Sequence, residues 1–151
     1  MPIAYFPDAV GPGGVTDTLR VKPPGAVLDP APPTPILVGH AVYLADAAGT
    51  PTIYLCGAAL ADRPDLFMGF IETLGAIPGG TIITTGRGSY VQPHVQGGGL
   101  LTVNQEIWLS TTAGEVTQTA PVGVSQAIVR VGVATSTTEI ILTTDFRQAI
   151  P

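Results

Sequence analysis

The sequence predicts an all-β protein, a small barrel or sandwich built from two related β-units and preceded by an extended, proline-rich N-terminal arm. Short β-branched runs alternate with glycine and proline turns, the same pattern occurs twice, and proline is concentrated near the N-terminus. Short strands that recur about every 8–12 residues and are separated by such turns are typical of barrels and sandwiches with almost no helix. We expect the arm at residues 1–35 and the β-domain at residues 36–151, with its units at about 36–90 and 101–146.

The arm is defined by its prolines, of which residues 1–35 contain nine. Each proline fixes φ and lacks an amide donor, so helix and inner strand are disfavoured and extended polyproline-like backbone is expected. Such a segment is usually disordered when it is alone. Large apolar residues near its tip and aliphatic residues along it favour docking on a partner instead. We therefore predict that the arm binds a partner through Tyr5, Phe6, Val10, Val15, Leu19 and Val21.

An internal repeat identifies the two β-units. The segment VNQEIWLSTTAG, residues 103–114, aligns without a gap with VGHAVYLADAAG, residues 38–49, at an offset of 65. Two shorter matches follow in the same order, 68–70 with 131–133 at an offset of 63 and 82–85 with 141–144 at an offset of 59. Convergent β-patterning is the alternative explanation. Three ordered matches favour one body built from two related units.

The aligned positions also predict core residues. Tyr43 falls on Trp108 and Leu44 on Leu109, at the centre of the best-matched strand. A lone tryptophan aligned with a tyrosine is more often a core residue than a sugar-binding platform. The predicted core residues are Tyr43, Leu44, Trp108, Leu109 and Gly132.

Charge and composition exclude several classes of partner. Charged residues make up 11% of the chain, against about 25% in ordinary globular proteins, so the surface is suited to being covered by other proteins. The net charge is −5 and the six basic residues are scattered, which argues against nucleic-acid binding. The N-terminus lacks the pattern of a signal peptide, and no apolar run approaches the length of a membrane span. We expect no membrane partner and synthesis in the cytoplasm.

Residues that could carry chemistry are few and isolated. His40 aligns with Gln105, which indicates a polar turn, and neither His40 nor His94 has a second ligand at metal spacing. Cys56 follows an apolar strand-like run, so we expect it to be buried and unreactive. The glycines around residues 86–89 lack the remainder of a phosphate-binding loop. We predict no catalytic residue, no metal site and no cofactor, and hence no enzymatic activity.

The second unit resembles a module of tailed-bacteriophage structural proteins. The resemblance lies in a strand with Ile107-Trp108-Leu109, a turn with Ala113-Gly114, the sequence VTQTAP at residues 116–121, and a strand with VGVA at residues 131–134. It is similar to head decoration (cement) proteins and to some head or tail fibre segments. The match covers residues 101–144 and reaches residues 36–85 only through the internal repeat.

The resemblance implies a β-tulip-like cement protein on the capsid exterior. Such a protein binds the major capsid protein as a homotrimer, bridges capsomers and reaches neighbouring subunits with extended N-terminal arms. Its location would be the virion, after synthesis in the host cytoplasm. Two units in tandem depart from the pattern of that group. The alternative function is a tail or head fibre segment, or a receptor- or carbohydrate-binding β-module.

Overall fold

The structure, a computed structural model, describes residues 4–7 and 19–150, and the side chains of residues 20–143. Strands dominate the described residues, which confirms the all-β class. The first seven strands are β1 (Ala4–Pro7), β2 (Leu19–Lys22), β3 (Val27–Leu28), β4 (Ala41–Ala47), β5 (Thr50–Leu55), β6 (Phe67–Thr73) and β7 (Ile82–Thr84). The next five are β8 (Tyr90–Val91), β9 (Glu106–Leu109), β10 (Val116–Thr117), β11 (Gln126–Ala134) and β12 (Ile140–Ile150). Short 3-10 helices span Leu60–Asp62, Pro64–Leu66 and Gln96–Gly98.

The strands form two sheets with the same internal order. One sheet has the order β1-β2-β7-β6-β4-β5-β3, and the other has the order β10-β9-β11-β12-β8. The succession β2-β7-β6-β4-β5 in the first therefore corresponds to β8-β12-β11-β9-β10 in the second. Strand β3 pairs with β5 in parallel. The second sheet has an equivalent feature, a single parallel bridge between Val95 and Val116 of β10. Hereafter the first unit denotes β2 to β7 and the second unit β8 to β12.

Register and backbone conformation support the duplication at the two longer offsets. Val42 pairs with Gly69 and Ile107 pairs with Gly132, and a β-bulge lies beside each pair. The turn before β4 has Gly39 at φ 92°, and the turn before β9 has Asn104 at φ 69°. These equivalences agree with the predicted offsets of 65 and 63.

The third predicted match is wrong by two residues. Phe70 pairs with Thr84 in the first unit, and Val133 pairs with Ile141 in the second. Thr84 therefore corresponds to Ile141, an offset of 57 rather than 59. Side chains alternate along a strand, so a slip of two residues keeps every apolar side chain on its face. The hydrophobic pattern alone could not reveal this error.

The predicted boundary at residue 35 is also wrong, because β1 and β2 already belong to the first sheet. In β2, Arg20 pairs with Thr84 and Val21 with Ile83. The prolines are accommodated in the turn of residues 23–26, where the Ala26 amide donates to the Pro23 carbonyl and Gly25 has φ 67°. Proline followed by glycine at the centre of a turn is the type II pattern, which leaves the flanking strands free to pair. Val21, predicted to bind a partner, is only 8% exposed within its own chain.

Each unit has its own apolar core, built from equivalent positions. The first-unit core consists of the buried residues Ala26, Ile36, Val42, Ile53, Leu55, Ile71 and Ile83. The second-unit core includes the buried residues Leu101, Ile107, Leu109, Val116, Val129, Val131, Ala134, Ile140 and Leu142. Four residues of the first unit also belong to the second-unit core: Ala41, Cys56, Ala58 and Phe70. The outer face of the first sheet therefore covers the second-unit core.

The predicted core residues differ in their burial. Leu109 and Gly132 are buried, while Tyr43 and Leu44 are half-buried and pack against the second-unit and first-unit cores. Trp108 departs from the prediction, since it is half-buried and belongs to neither described core. Its neighbours on β9 point to the core, and alternation places Trp108 on the outer face.

The environment of Trp108 explains the difference from its equivalent, Tyr43. Trp108 is paired across the sheet with Arg130 and Thr117. The Arg130 guanidinium donates to a Glu106 carboxylate oxygen at 2.9 Å, so polar groups surround the indole. Tyr43 is covered because the second unit packs over it, whereas nothing in the described chain covers the equivalent face of the second unit.

Substituting either of the paired glycines is expected to destabilise the fold. A Cβ on Gly69 would collide with the Thr84 carbonyl oxygen, and one on Gly132 would collide with the Ile141 carbonyl oxygen. We expect Gly69→Ala and Gly132→Ala each to lower the free energy of unfolding by about 1–3 kcal/mol, as overpacking against backbone does. Urea denaturation measures the effect. Gly99→Ala is the matched control, because nothing lies within 4 Å of its added Cβ; equal midpoints for all three variants would contradict this account.

Candidate interaction surfaces

The thiol of Cys56 lies in the contact between the units and has little capacity for chemistry. Cys56 is 0% exposed, and its Sγ donates a weak hydrogen bond to the Arg63 carbonyl at 3.5 Å. Burial, followed by the nearby Asp62 carboxylate, raises the pKa of the Cys56 thiol. The nucleophilic thiolate is therefore disfavoured. Within the part of the chain that the structure describes, no group of three His, Cys, Asp or Glu residues could hold a metal ion.

The two histidines, distant in sequence, meet where the first unit contacts the second. Their ring centroids are 4.1 Å apart. The Leu37 amide donates to Nδ1 of His40 at 3.0 Å, so this nitrogen is unprotonated. Nε2 of His94 lies 2.9 Å from the Val38 carbonyl oxygen, which can only accept, so this nitrogen carries the proton. Burial, and secondly the neighbouring His94, lowers the pKa of His40 to about 4.

Gly39 permits this close approach of the two histidines. It has φ 92°, and a Cβ there would lie 2.6 Å from the Gln92 carbonyl oxygen and 3.0 Å from Cδ2 of His94. The His94 amide also donates to the Gly39 carbonyl at 3.0 Å. His40 therefore occupies a tight turn at the contact between units, which agrees with its predicted place in a polar turn.

Among the concavities on the surface of the described residues are three that have apolar residues in their lining and could receive a partner. The first, the junction pocket, has a volume of about 340 Å³. It is lined by Val38, Gln92, Pro93, His94, Val95, Gly98, Gly99, Leu100, Thr137 and Thr138. Val38 is 52% exposed and Leu100 is 74% exposed, and the lining contains no carboxylate, lysine or arginine. Such a surface suits an apolar segment of another protein better than a charged small molecule.

The second concavity lies beside the loop of residues 119–124, which we call the valine loop. Its volume is about 300 Å³, and Pro121, Val122 and Gln126 contribute to its lining. Val122 is 85% exposed and Val124 is 75% exposed. The side-chain oxygen of Gln126 accepts a hydrogen bond from the Gly123 amide at 2.8 Å, which holds the loop in this conformation.

The third concavity lies at the free end of the β4–β5 hairpin, which we call the hairpin edge. Its volume is about 400 Å³, and its lining is Leu44, Ala45, Asp46, Gly49 and Pro51. The Asp46 carboxylate accepts a hydrogen bond from the Gly49 amide at 3.1 Å, so the turn is well formed.

Four of the six residues predicted to bind a partner through the arm, Tyr5, Phe6, Leu19 and Val21, lie in strands β1 and β2. The backbone of Tyr5 pairs with that of Val21, and the backbone of Phe6 pairs with that of Arg20. Leu19 lies in β2. Val10 and Val15 lie outside the described residues. The prediction of partner binding by the arm remains a prediction.

Sequence reasoning missed the exposed aliphatic residues Leu100, Val122 and Val124. Each lies next to glycine, proline or another aliphatic residue in a loop, where the alternation of a strand gives no indication of its face. The signal that could have identified the valine loop is the internal repeat, extended past residue 114 to align residues 57–60 with residues 120–123.

Comparison with protein-family models, with curated proteins and with solved structures finds no match to this chain. Within the described ranges, no helix has the length and apolarity needed to cross a bilayer.

The His40 environment predicts that acid destabilises the protein. The pKa of His40 is about 4 in the folded state and 6.5 for an unperturbed ring, so the unfolded state binds more protons between these values. The free energy of unfolding should therefore fall as the pH is lowered from 6.5 towards 4. His40→Gln, which introduces the residue found at the equivalent Gln105, should flatten this dependence. Urea denaturation across the pH range tests it, and parallel curves for the two proteins would refute it.

Proposed function

We propose that this chain is a structural protein of a bacteriophage virion, a capsid decoration protein that binds the outside of the capsid and stabilises it by bridging capsomers. The observation that carries the proposal is an all-β chain of two related units with 11% charged residues and a junction pocket that has exposed aliphatic residues and no carboxylate, lysine or arginine in its lining. The similarity of residues 101–144 to phage cement modules gives the proposal its specific form.

The surface chemistry is consistent with a protein partner. A chain with a net charge of −5 is repelled by nucleic acid and does not compete for a packaged genome. Val38 and Leu100 stand at the rim of the junction pocket at 52% and 74% exposure, where burial by a partner would remove apolar surface from water. We propose the major capsid protein as that partner.

The proposal assigns a narrower attachment segment than the sequence prediction did. Strands β1 and β2 both pair within the first sheet, and β1 is its edge strand, so the proposed contact with a neighbouring subunit is made by residues 1–18, which include Tyr5, Phe6, Val10 and Val15. In a homotrimer, three such segments would raise the effective concentration of each contact. A protein that binds only the assembled shell would then shift the assembly equilibrium by mass action.

The second candidate function is a fibre or receptor-binding β-module that recognises carbohydrate. Trp108 favours it, because an outward-facing indole bordered by the Arg130–Glu106 ion pair combines an apolar ring with polar groups that can hydrogen-bond a sugar. Binding to a glycan panel that is lost in Trp108→Ala, while the folded state is retained, would support this function over the first.

The decoration function is tested by binding to capsids that lack decoration protein. Tyr5→Ala combined with Phe6→Ala removes two large apolar contacts, each worth about 1.5–3 kcal/mol if buried on a partner. We expect co-sedimentation with capsids to weaken by at least about tenfold. The control is Ile77→Ser, since Ile77 is 72% exposed on another turn and its loss should leave capsid binding unchanged.

Two results would contradict the proposal. Failure of the unmodified protein to bind any undecorated tailed-phage capsid would argue against a decoration function. Full capsid affinity in the Tyr5 and Phe6 double variant would argue against attachment by the arm, while leaving the junction pocket as the remaining docking surface. Circular dichroism and thermal melting confirm that each variant is folded before binding is compared.

A further inference from the structure

We propose that copies of this chain associate head to tail, with the valine loop of one copy docked on the hairpin edge of the next. The occupant is a second copy of the chain, because the protein already contains this contact once, between its own two units. The inference rests on the duplicated fold and does not depend on capsid binding.

The internal contact is made largely by backbone hydrogen bonds. Residues 56–60 of the first unit lie along the second unit, between the end of β9 and the start of β11. The Ala58 amide donates to the Ser110 carbonyl and the Ala127 amide donates to the Ala58 carbonyl, both at 2.7 Å. The Gly114 amide donates to the Cys56 carbonyl, also at 2.7 Å. The segment of one unit thus lies between the ends of two adjacent inner strands of the other unit.

This contact is heterologous, so each unit contains both of its halves. One half is the segment that follows β5 or β10, and the other is the end of the β4–β5 or β9–β10 hairpin. Leu44 pairs with Ile53 as Leu109 pairs with Val116, which makes Cys56 equivalent to residue 119. The valine loop is therefore the second unit's version of residues 56–60, and the hairpin edge is the first unit's version of the surface around Ser110. Among the residues that the structure describes, no backbone hydrogen bond joins either of these two to the other unit.

Burial differs at most of these equivalent positions as this account requires. Cys56 is 0% exposed, whereas Thr119 at its equivalent position is exposed, and Ala59 is half-buried, whereas its equivalent Val122 is 85% exposed. Pro121, at the position of Ala58, is buried within its own chain. Leu109 is 0% exposed beneath the first unit, whereas its equivalent Leu44 is half-buried and lines the hairpin-edge concavity.

The repeated contact has a weaker backbone ladder than the internal one. Pro121 stands at the position of Ala58 and Pro64 at the position of Ala127, so the two amides that bond the Ser110 and Ala58 carbonyls in the internal contact have no equivalent in the repeated one. The exposed Val122 and Val124 side chains supply apolar area that the internal segment provides with smaller alanines. The expected association is therefore reversible, and a heterologous contact between identical copies generates either a closed ring or an open chain.

The test uses sedimentation velocity on the full chain at high micromolar concentration. The unmodified protein should have a mass above the 15.4 kDa of one chain. Val122→Asp with Val124→Asp places charge in the apolar contact and should weaken association by at least about tenfold. Ala45→Arg, on the hairpin edge, should do the same. Ile77→Asp is the control, with an exposed aliphatic residue outside both surfaces.

Mixing the two defective variants tests the head-to-tail geometry. The Ala45→Arg chain retains an intact valine loop, and the Val122→Asp, Val124→Asp chain retains an intact hairpin edge. An equimolar mixture should therefore form a 1:1 dimer. The dimer cannot add further chains, because the hairpin edge and the valine loop that remain unpaired in it both carry the disrupting substitutions. If Ala45→Arg is not folded by circular dichroism, Pro51→Arg on the same edge replaces it.

Three outcomes would overturn the inference. These are a monomeric unmodified protein at high micromolar concentration, an unchanged mass for the valine-loop variant, and a mixture of the two variants that stays monomeric. Because no capsid is present, a failure here leaves capsid binding untested, and a failure to bind capsids leaves this result unaffected.

Discussion

The backbone contact between residues 56–60 and the second unit holds the molecule together. Without it, the carbonyl groups of Cys56 and Ser110 and the amide of Ala127 would lose their partners within an apolar environment. A buried backbone group left without a partner costs about 1–3 kcal/mol, so the two sheets depend on this segment remaining in register. The same segment brings Ala41 and Phe70 over the second-unit core, and it thereby fixes which face of the first sheet is covered.

The internal repeat allowed much of the fold to be predicted. The alignment of Val42 with Ile107 and of Gly69 with Gly132 holds at the level of strand pairing, because glycine is required where two strands approach closely beside a bulge. The slip of two residues between Thr84 and Ile141 was invisible, since apolar alternation repeats every two residues. Register in this part of the sheet is determined by the loops before β7 and β12, whose lengths differ between the units.

Local propensity failed where long-range pairing overrode it. A high density of proline predicted an arm up to residue 35, yet β2 and β3 pair with β7 and β5 on either side of a proline turn. Trp108 was predicted to be a core residue from its alignment with Tyr43, but equivalent positions have equivalent burial only when the same neighbour covers both. The candidate surfaces could not be predicted for the same reason. The exposure of Val122 depends on whether another unit packs against it. The local sequence around Val122 does not indicate whether such a unit is present.

Joining the two units in one polypeptide has a consequence for how such an assembly would grow. The internal contact forms at the effective concentration of a tethered partner and is therefore present at any dilution, whereas its repeat between chains depends on protein concentration. Units would consequently be gained and lost in pairs, and any closed ring would contain an even number of them. Because the two units are joined in one chain, their sequences can differ. The outer face of the first unit has Ala41 and Phe67, which pack on the second-unit core, whereas the equivalent face of the second unit has Glu106 and Arg130.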